Sequence, residues 1–383
     1  MGADVSQASN FATFGPAKFG KLAEAMSRSQ KVKLIDVARA ANVSAATVSR
    51  LVGGRAGVTP EMRDRVIKAA IRLGFDLDRG RKSRIIAFLL SNRGVLHPFH
   101  SAVLTGAEAY CAENNYGLLF LPLQYPTDAS SEELNLPEIL QRRQVVSGVI
   151  VAGTNSCELL HLLTRRGIPW VVLGNNVIGE MGTGQSAAVF FDDVLGAYEL
   201  TRYLQSLGHR EIGFVGNLRL PWYARRFRGY QRAMEEACLK VHVNELSSRD
   251  GEEMGYLATK LMLQQSPSLT AIFAGDDSSA RGACNAARDS GLAIPNDLSI
   301  AGFNDTIEAS SLHPALTSVH VFTDEVGRQL AELLLQRIAR PDLPGKTITL
   351  PTQLVRRESC GPPSTTQRSA PNGADQETRT SSN

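Results

Sequence analysis

The chain has 383 residues, 43% hydrophobic and 21% charged, with a net charge of only +3. That length exceeds one ordinary domain and suits a small module followed by a larger, two-lobed domain. No apolar run is long enough to span a bilayer and no signal-peptide pattern opens the chain, which excludes the membrane and secreted classes and predicts a cytoplasmic protein. Five cysteines (Cys111, Cys157, Cys238, Cys284 and Cys360) are scattered without CxxC pairing or histidine partners. They read as free thiols in a reducing compartment, with neither a metal nor another cofactor implied. Charge is unevenly placed. Residues 31–84 hold 13 Lys/Arg and 5 Asp/Glu, whereas residues 85–383 hold 25 and 31. A basic head on an acidic body predicts that the head meets a polyanion.

In chain order, residues 1–30 lack periodicity and read as a disordered extension, with Met26 as a second candidate start. Residues 31–75 carry three helical patterns. Leu34, Val37, Ala38 and Ala41 define one apolar face. Asn42 tolerates the left-handed turn that follows, and Ser44 suits the N-cap of a helix from Ala45 to Leu51. Gly53, Gly54 and Gly57 make a loop. Thr59-Pro60 opens a third helix, with Met62, Val66, Ala70 and Leu73 as its buried stripe and Gly74 as its end. Residues 76–84 are short, polar and basic, a linker. From residue 85 the pattern alternates strands with amphipathic helices. The strands are predicted at Ile85–Leu90, Leu118–Leu121, Val146–Val151, Trp170–Leu173, Val189–Phe191, Ile212–Val215, Ala271–Ala274 and Leu298–Phe303. Near-continuous apolar strands with intervening helices predict α/β parallel sheets covered on both faces. Eight strands over residues 85–360 predict two lobes, with ligands bound beyond the carboxyl ends of the strands. Residues 361–383 have the composition of a disordered tail.

The sharpest signal is Leu34-Ile35-Asp36-Val37-Ala38 followed by Asn42-Val43-Ser44-Ala45-Ala46-Thr47-Val48-Ser49-Arg50-Leu51. Here the chain closely resembles the lactose/galactose repressor (LacI/GalR) family. The resemblance continues through His97-Pro98-Phe99, Leu207-Gly208-His209-Arg210, Arg226-Phe227-Arg228-Gly229-Tyr230, Ala274-Gly275-Asp276-Asp277, Gly302-Phe303-Asn304-Asp305 and Leu354-Val355-Arg356-Arg357-Glu358-Ser359. It implies a helix-turn-helix headpiece and a two-lobed, periplasmic-binding-protein-like domain that binds an effector and dimerises. It also implies a homodimeric regulator, in the first instance a repressor, whose affinity for double-stranded operator DNA is set by a small carbohydrate-like effector.

By that resemblance Ala45, Ala46 and Arg50 lie where bases are read, and Ser44, Thr47 and Ser49 where phosphates are met. Arg55 belongs to the same basic face. Arg50 suits a bidentate pair with guanine, whereas Ala45 and Ala46 offer only methyl groups. The effector pocket is expected from His97, Phe99 and His100, Asn175, Arg226, Asp276 and Asn304. The family's usual Asn at 276 and Asp at 304 are exchanged here. Trp222 and Tyr223 offer a stacking face in place of an aromatic expected near Asp250. Of the two adjacent aspartates, Asp277 is the expected cap of the helix that follows.

The linker departs from the family. Relatives place about eighteen residues, including a hinge helix with a leucine wedge, where this chain has residues 76–84. Leu77 is the one wedge-like residue, among Arg79, Arg81, Lys82 and Arg84. The alternative reading is a periplasmic-type small-molecule binding protein without gene regulation, and the basic helix-turn-helix argues against it. No nucleophile–base motif, HExxH, P-loop or strand-following GxGxxG suggests catalysis.

Overall fold

A computed structural model describes residues 32–52, 57–75, 77, 83–94, 97–142, 145–181, 186–244 and 251–364. The expected extension 1–30, Arg55, Asp250, most of the 76–84 linker and the tail beyond 364 lie outside the described residues. The chain divides into two compact units, Met1–Lys82 and Ser83–Asn383.

The first unit is built from α1 (Leu34–Ala41), α2 (Ala45–Val52) and α3 (Pro60–Leu73). The spacing of apolar residues made this legible: Val37, Ala38, Ala41, Val48, Val66, Ala69 and Ala70 are buried together. Asn42 takes the left-handed conformation, at φ 52°, and ends α1. The Ser44 hydroxyl accepts from the Thr47 N–H at 3.1 Å and caps α2. Thr59 caps α3, with Pro60 following. Caps of this kind stabilise a helix by about 1 kcal/mol each. Leu77 packs half-buried against the same core, beside Phe75.

The second unit holds two six-stranded sheets, α/β as the strand–helix alternation predicts. In the N-terminal lobe lie β1 (Ile85–Ser91), β2 (Gly117–Leu123), β3 (Gly148–Gly153), β5 (Trp170–Leu173), β7 (Ala188–Phe191) and β13 (Thr347–Leu350), ordered β13-β7-β5-β3-β1-β2. The C-terminal lobe holds β8 (Ile212–Val215), β9 (His242–Asn244), β10 (Ala271–Ala274), β11 (Ser299–Asn304), β12 (Thr317–Val321) and β14 (Thr352–Val355), ordered β14-β12-β11-β10-β8-β9. All neighbours are parallel except β12 and β14. A small ribbon pairs β4 (Asn155–Ser156) with β6 (Val177–Ile178). The central strands β1, β3, β10 and β11 are buried on nearly every residue, as a parallel sheet between two helical layers requires.

Helices flank both sheets. They are α4 (Pro98–Glu113), the short α5 (Glu138–Gln141), α6 (Cys157–Arg165), α7 (Asp193–Ser206), α8 (Pro221–Glu236), α9 (Gly251–Gln265), α10 (Asp277–Asp289), α11 (Ile307–Ser311) and α12 (Thr323–Ala339). The chain passes between lobes three times, after Phe191, after Val321 and at Pro351 between β13 and β14. The first and third passages are tied together: the Asp192 N–H donates to the Leu350 carbonyl at 2.9 Å, and the Thr352 hydroxyl to the Asp192 carbonyl at 3.2 Å. Within each lobe, glycines bring helices into backbone contact. A Cβ at Gly106 in α4 would fall 2.0 Å from the Asp324 carbonyl oxygen of α12. One at Gly255 in α9 would fall equally close to the Ser279 carbonyl of α10.

The tail begins later than expected. Gly361 is integral to the C-terminal lobe: its N–H donates to the Ser299 hydroxyl at 3.1 Å and its carbonyl lies 2.9 Å from His209 Nε2. His209 also meets the Thr270 hydroxyl, and burial holds its pKa below the ordinary value, so it serves as a neutral structural group. His320 lies 3.0 Å from Asp305, which also pairs with Arg357 at 2.7 Å.

Candidate functional site

Two surfaces carry chemistry. On the headpiece, Ala45, Ala46, Ser49 and Arg50 are exposed on α2 while Val48 anchors its other face. Ser44 and Thr47 stand at the N-terminus of that helix, their hydroxyl oxygens 2.8 Å apart. The exposed N-terminal half of a short second helix, with its positive end outward, is the geometry that enters a major groove.

The second surface is the cleft between the lobes, at the carboxyl ends of the strands. Its walls are Arg93, His97, Phe99, His100, Asn176 and Phe191 from the N-terminal lobe and Trp222, Arg226, Asp276 and Asn304 from the C-terminal lobe. Pro98 starts α4 just after His97 and sets the three side chains of that turn on one wall. Phe99 packs against Phe191 at a tilt of 57°, with ring centres 5.7 Å apart. His100 is buried, and desolvation pushes its pKa well below the ordinary histidine value, so the ring is neutral.

Opposite, α8 supplies Arg226, a side chain almost wholly buried. Its Nη1 donates to the Gly275 carbonyl at 2.6 Å and its Nη2 to Asn304 Oδ1 at 2.8 Å. The guanidinium lies 4.0 Å from the Phe303 ring centre. The Asn304 and Asp305 backbones both take positive φ, 103° and 52°, which turns the chain sharply at the end of β11. Asp276 accepts from the Tyr223 hydroxyl at 2.7 Å and from the Ser279 N–H at 2.7 Å. Gly275 must be glycine here, because a Cβ would strike the Tyr223 ring at 2.3 Å.

Seven of the eight expected pocket residues meet at this cleft: His97, Phe99, His100, Trp222, Arg226, Asp276 and Asn304. The eighth does not. Asn175 is fully buried beside the cleft, its amide donating to the Phe191 carbonyl and to Asp193 and accepting from the Phe191 N–H. The 3₁₀ turn at Gly174–Asn176 presents its neighbour Asn176 instead. The cap assignment is corrected too: Asp276 caps α10, whereas Asp277 is a buried knot holding the Thr306 N–H and hydroxyl and the Ser318 hydroxyl. Burial raises its pKa to about 7. Arg93 was not expected. It follows β1 directly, the position where parallel sheets place ligand contacts, and that rule would have found it.

A DNA-reading headpiece joined to a two-lobed binding domain with a polar, aromatic-walled cleft defines an effector-controlled DNA-binding regulator. Residues 33–76 match the bacterial regulatory proteins of the lacI family, and residues 201–360 match the periplasmic binding protein-like domain. The ribose operon repressor of Haemophilus influenzae is 31% identical over 332 residues, covering 85% of this chain and 97% of that one. The transcriptional repressor PurR of Salmonella arizonae is 32% identical, over 85% of this chain and 95% of its own length. A solved complex of the transcriptional regulator CelR with cellobiose superposes with a TM-score of 0.65 at 26% identity, covering 86% of this chain and all of that one. The chain belongs to the lacI family of bacterial transcription regulators. Among the described residues no helix is long and apolar enough to cross a membrane.

Proposed function

We propose that this regulator acts in the cytoplasm as a homodimeric repressor. In this reading Arg50 reads guanine, Ala45 and Ala46 contact thymine methyls, and Ser44, Thr47 and Ser49 contact phosphate. A two-fold dimer suits a pseudo-palindromic operator. The effector occupies the cleft as a small polyhydroxylated metabolite. The relatives named for ribose and solved with cellobiose support a sugar-like class.

The observation that carries this is the placement of Arg226. Its guanidinium is held as a fixed, desolvated fork between the Gly275 carbonyl and Asn304, under Phe303, at the seam of two lobes. A desolvated charge at a cleft wall supports a ligand contact. The free space left in the cleft is about 30 Å³. So small a space suits entry of a sugar by opening and reclosing of the lobes.

The test is operator selection from the DNA flanking the protein's own gene, with the purified chain, followed by titration of sugars into the selected complex. Equal affinity for selected and random duplex would remove the regulatory reading. A selected operator whose binding responds to no small metabolite would remove the effector role alone.

A further inference from the structure

We propose that the N-terminal lobe carries a second small-molecule site, a groove that takes an apolar α-amino acid, at the end of its sheet opposite the interlobe cleft. The groove lies between the turn before β5 and the loop joining α12 to β13, and it holds about 480 Å³ of free space. Small-molecule pockets span about 300–1,000 Å³. It shares no residue with the cleft. Trp170 opens β5 and Gly345 lies just before β13, whereas the cleft lies beyond the carboxyl ends of the strands. In the same parallel sheet Ile85 opens β1, so the groove shares its end of the lobe with the point where the lobe's chain begins.

Two charged side chains line the groove among the described residues, and neither side chain is hydrogen-bonded or ion-paired to a described residue. Arg337, in the last turn of α12, is half-buried, and its Nη1 is buried without a hydrogen-bond partner. Burial alone pulls its pKa below the ordinary value, with no neighbouring charge contributing. Asp342 is exposed on the loop that follows. Opposite charges on one groove that do not meet leave room for a ligand between them. A zwitterion answers both: its carboxylate accepts from the guanidinium in a charge-assisted bond, and its ammonium donates to Asp342. A plain carboxylate would leave Asp342 unanswered, and a plain amine would leave Arg337 so.

Other parts of the wall suit an apolar side chain. The Trp170 indole N–H is taken by the Thr164 hydroxyl at 2.9 Å, so the ring has no free donor to offer. Ile168, Leu343 and Pro344 add apolar surface.

The experiment is calorimetry on the full chain with leucine, methionine and phenylalanine. Each is matched with the carboxylate lacking its amine and the amine lacking its carboxylate (for leucine, isocaproate and isoamylamine). At least one amino acid should bind tenfold or more tightly than both of its counterparts. Asp342→Asn should erase the preference over the carboxylate, and Arg337→Gln the preference over the amine, with unchanged circular dichroism spectra confirming the fold. A carboxylate or amine that binds as tightly as its amino acid would overturn the zwitterion assignment. Binding that survives both substitutions would place the ligand outside the groove and overturn the site, as would no binding by any member. Asp342 is exposed, so its variant keeps the test decisive even if Arg337→Gln does not fold.

Discussion

Arg93 and Trp222 face each other across the cleft, the guanidinium 4.3 Å from the indole ring centre, and they belong to different lobes. The same arginine is steadied from its own lobe by the Thr154 hydroxyl at 3.3 Å. A cation over an indole contributes about 0.5–2 kcal/mol, depending on desolvation. This contact is therefore one of the restraints that a ligand must rearrange.

The chain has two tryptophans, Trp170 and Trp222. Trp170 is buried in the N-terminal lobe, its indole N–H donating to Thr164, and it does not line the cleft. Effector binding should change the intrinsic fluorescence through Trp222 alone. Trp222→Phe should abolish the signal and Trp170→Phe should retain it. A retained signal in Trp222→Phe would place the ligand elsewhere.

Arg226→Lys keeps the charge but loses the planar fork that spans Gly275 and Asn304. Effector affinity should fall at least tenfold by calorimetry, and the effector-induced change in operator affinity should fade with it. Wild-type effector affinity in this variant would mean that the fork serves packing only.

Arg50 is exposed on α2, where a bidentate contact with guanine is worth about 1–3 kcal/mol of discrimination. Arg50→Ala should weaken operator binding by that amount while random duplex is affected much less, both measured at one salt concentration. Equal losses on both would reassign Arg50 to phosphate contact.

Leu77 packs on the headpiece core, which distances it from the role of a minor-groove wedge. Leu77→Ala should cost about 1 kcal/mol of headpiece stability by denaturant titration, less than the roughly 2–5 kcal/mol of a fully buried leucine because Leu77 is half-buried. The electrophoretic bend of permuted operator fragments should stay unchanged. A bend lost with Leu77 would identify it as the wedge.

Asp277 gives a pH signature. Burial lifts its folded pKa to about 7, against an ordinary value of 3.8. Folding therefore favours its protonated form. That stabilising contribution is complete below the unfolded pKa and disappears as pH rises through about 7. The stability of the wild type relative to Asp277→Asn should thus decline between pH 4 and 7 and level off above. A difference independent of pH across that range would show that the carboxyl is ionised throughout.

Much of this architecture is legible in the chain because its central strands are apolar on both faces and its helices are punctuated by Asn42, Ser44, Thr59 and Gly74. Strands β12, β13 and β14 were not. Strand β12 carries Thr317, Ser318 and His320 among its valines, and β13 and β14 are half-exposed and share the single residue Pro351 as their joint. Each lacks the continuous apolar run that betrays a buried strand. Seven of the ten residues that line the cleft were named from the sequence, and Arg93, Asn176 and Phe191 were not. Asn175 and Asn176 have the same side chain, and only the 3₁₀ turn decides which faces the cleft and which ties Phe191 to Asp193. The adjacent Asp276 and Asp277 posed the same ambiguity, settled by which backbone N–H each reaches.

The glycines that set α4 against α12 and α9 against α10 have a mechanical consequence. Helices whose backbones touch cannot slide or roll without collision, which favours each lobe moving as one body. Compliance is left to the three short stretches of chain joining the lobes, two of them laced together at Asp192. A molecule stiff in both halves and yielding only at one narrow seam works as a pair of tongs.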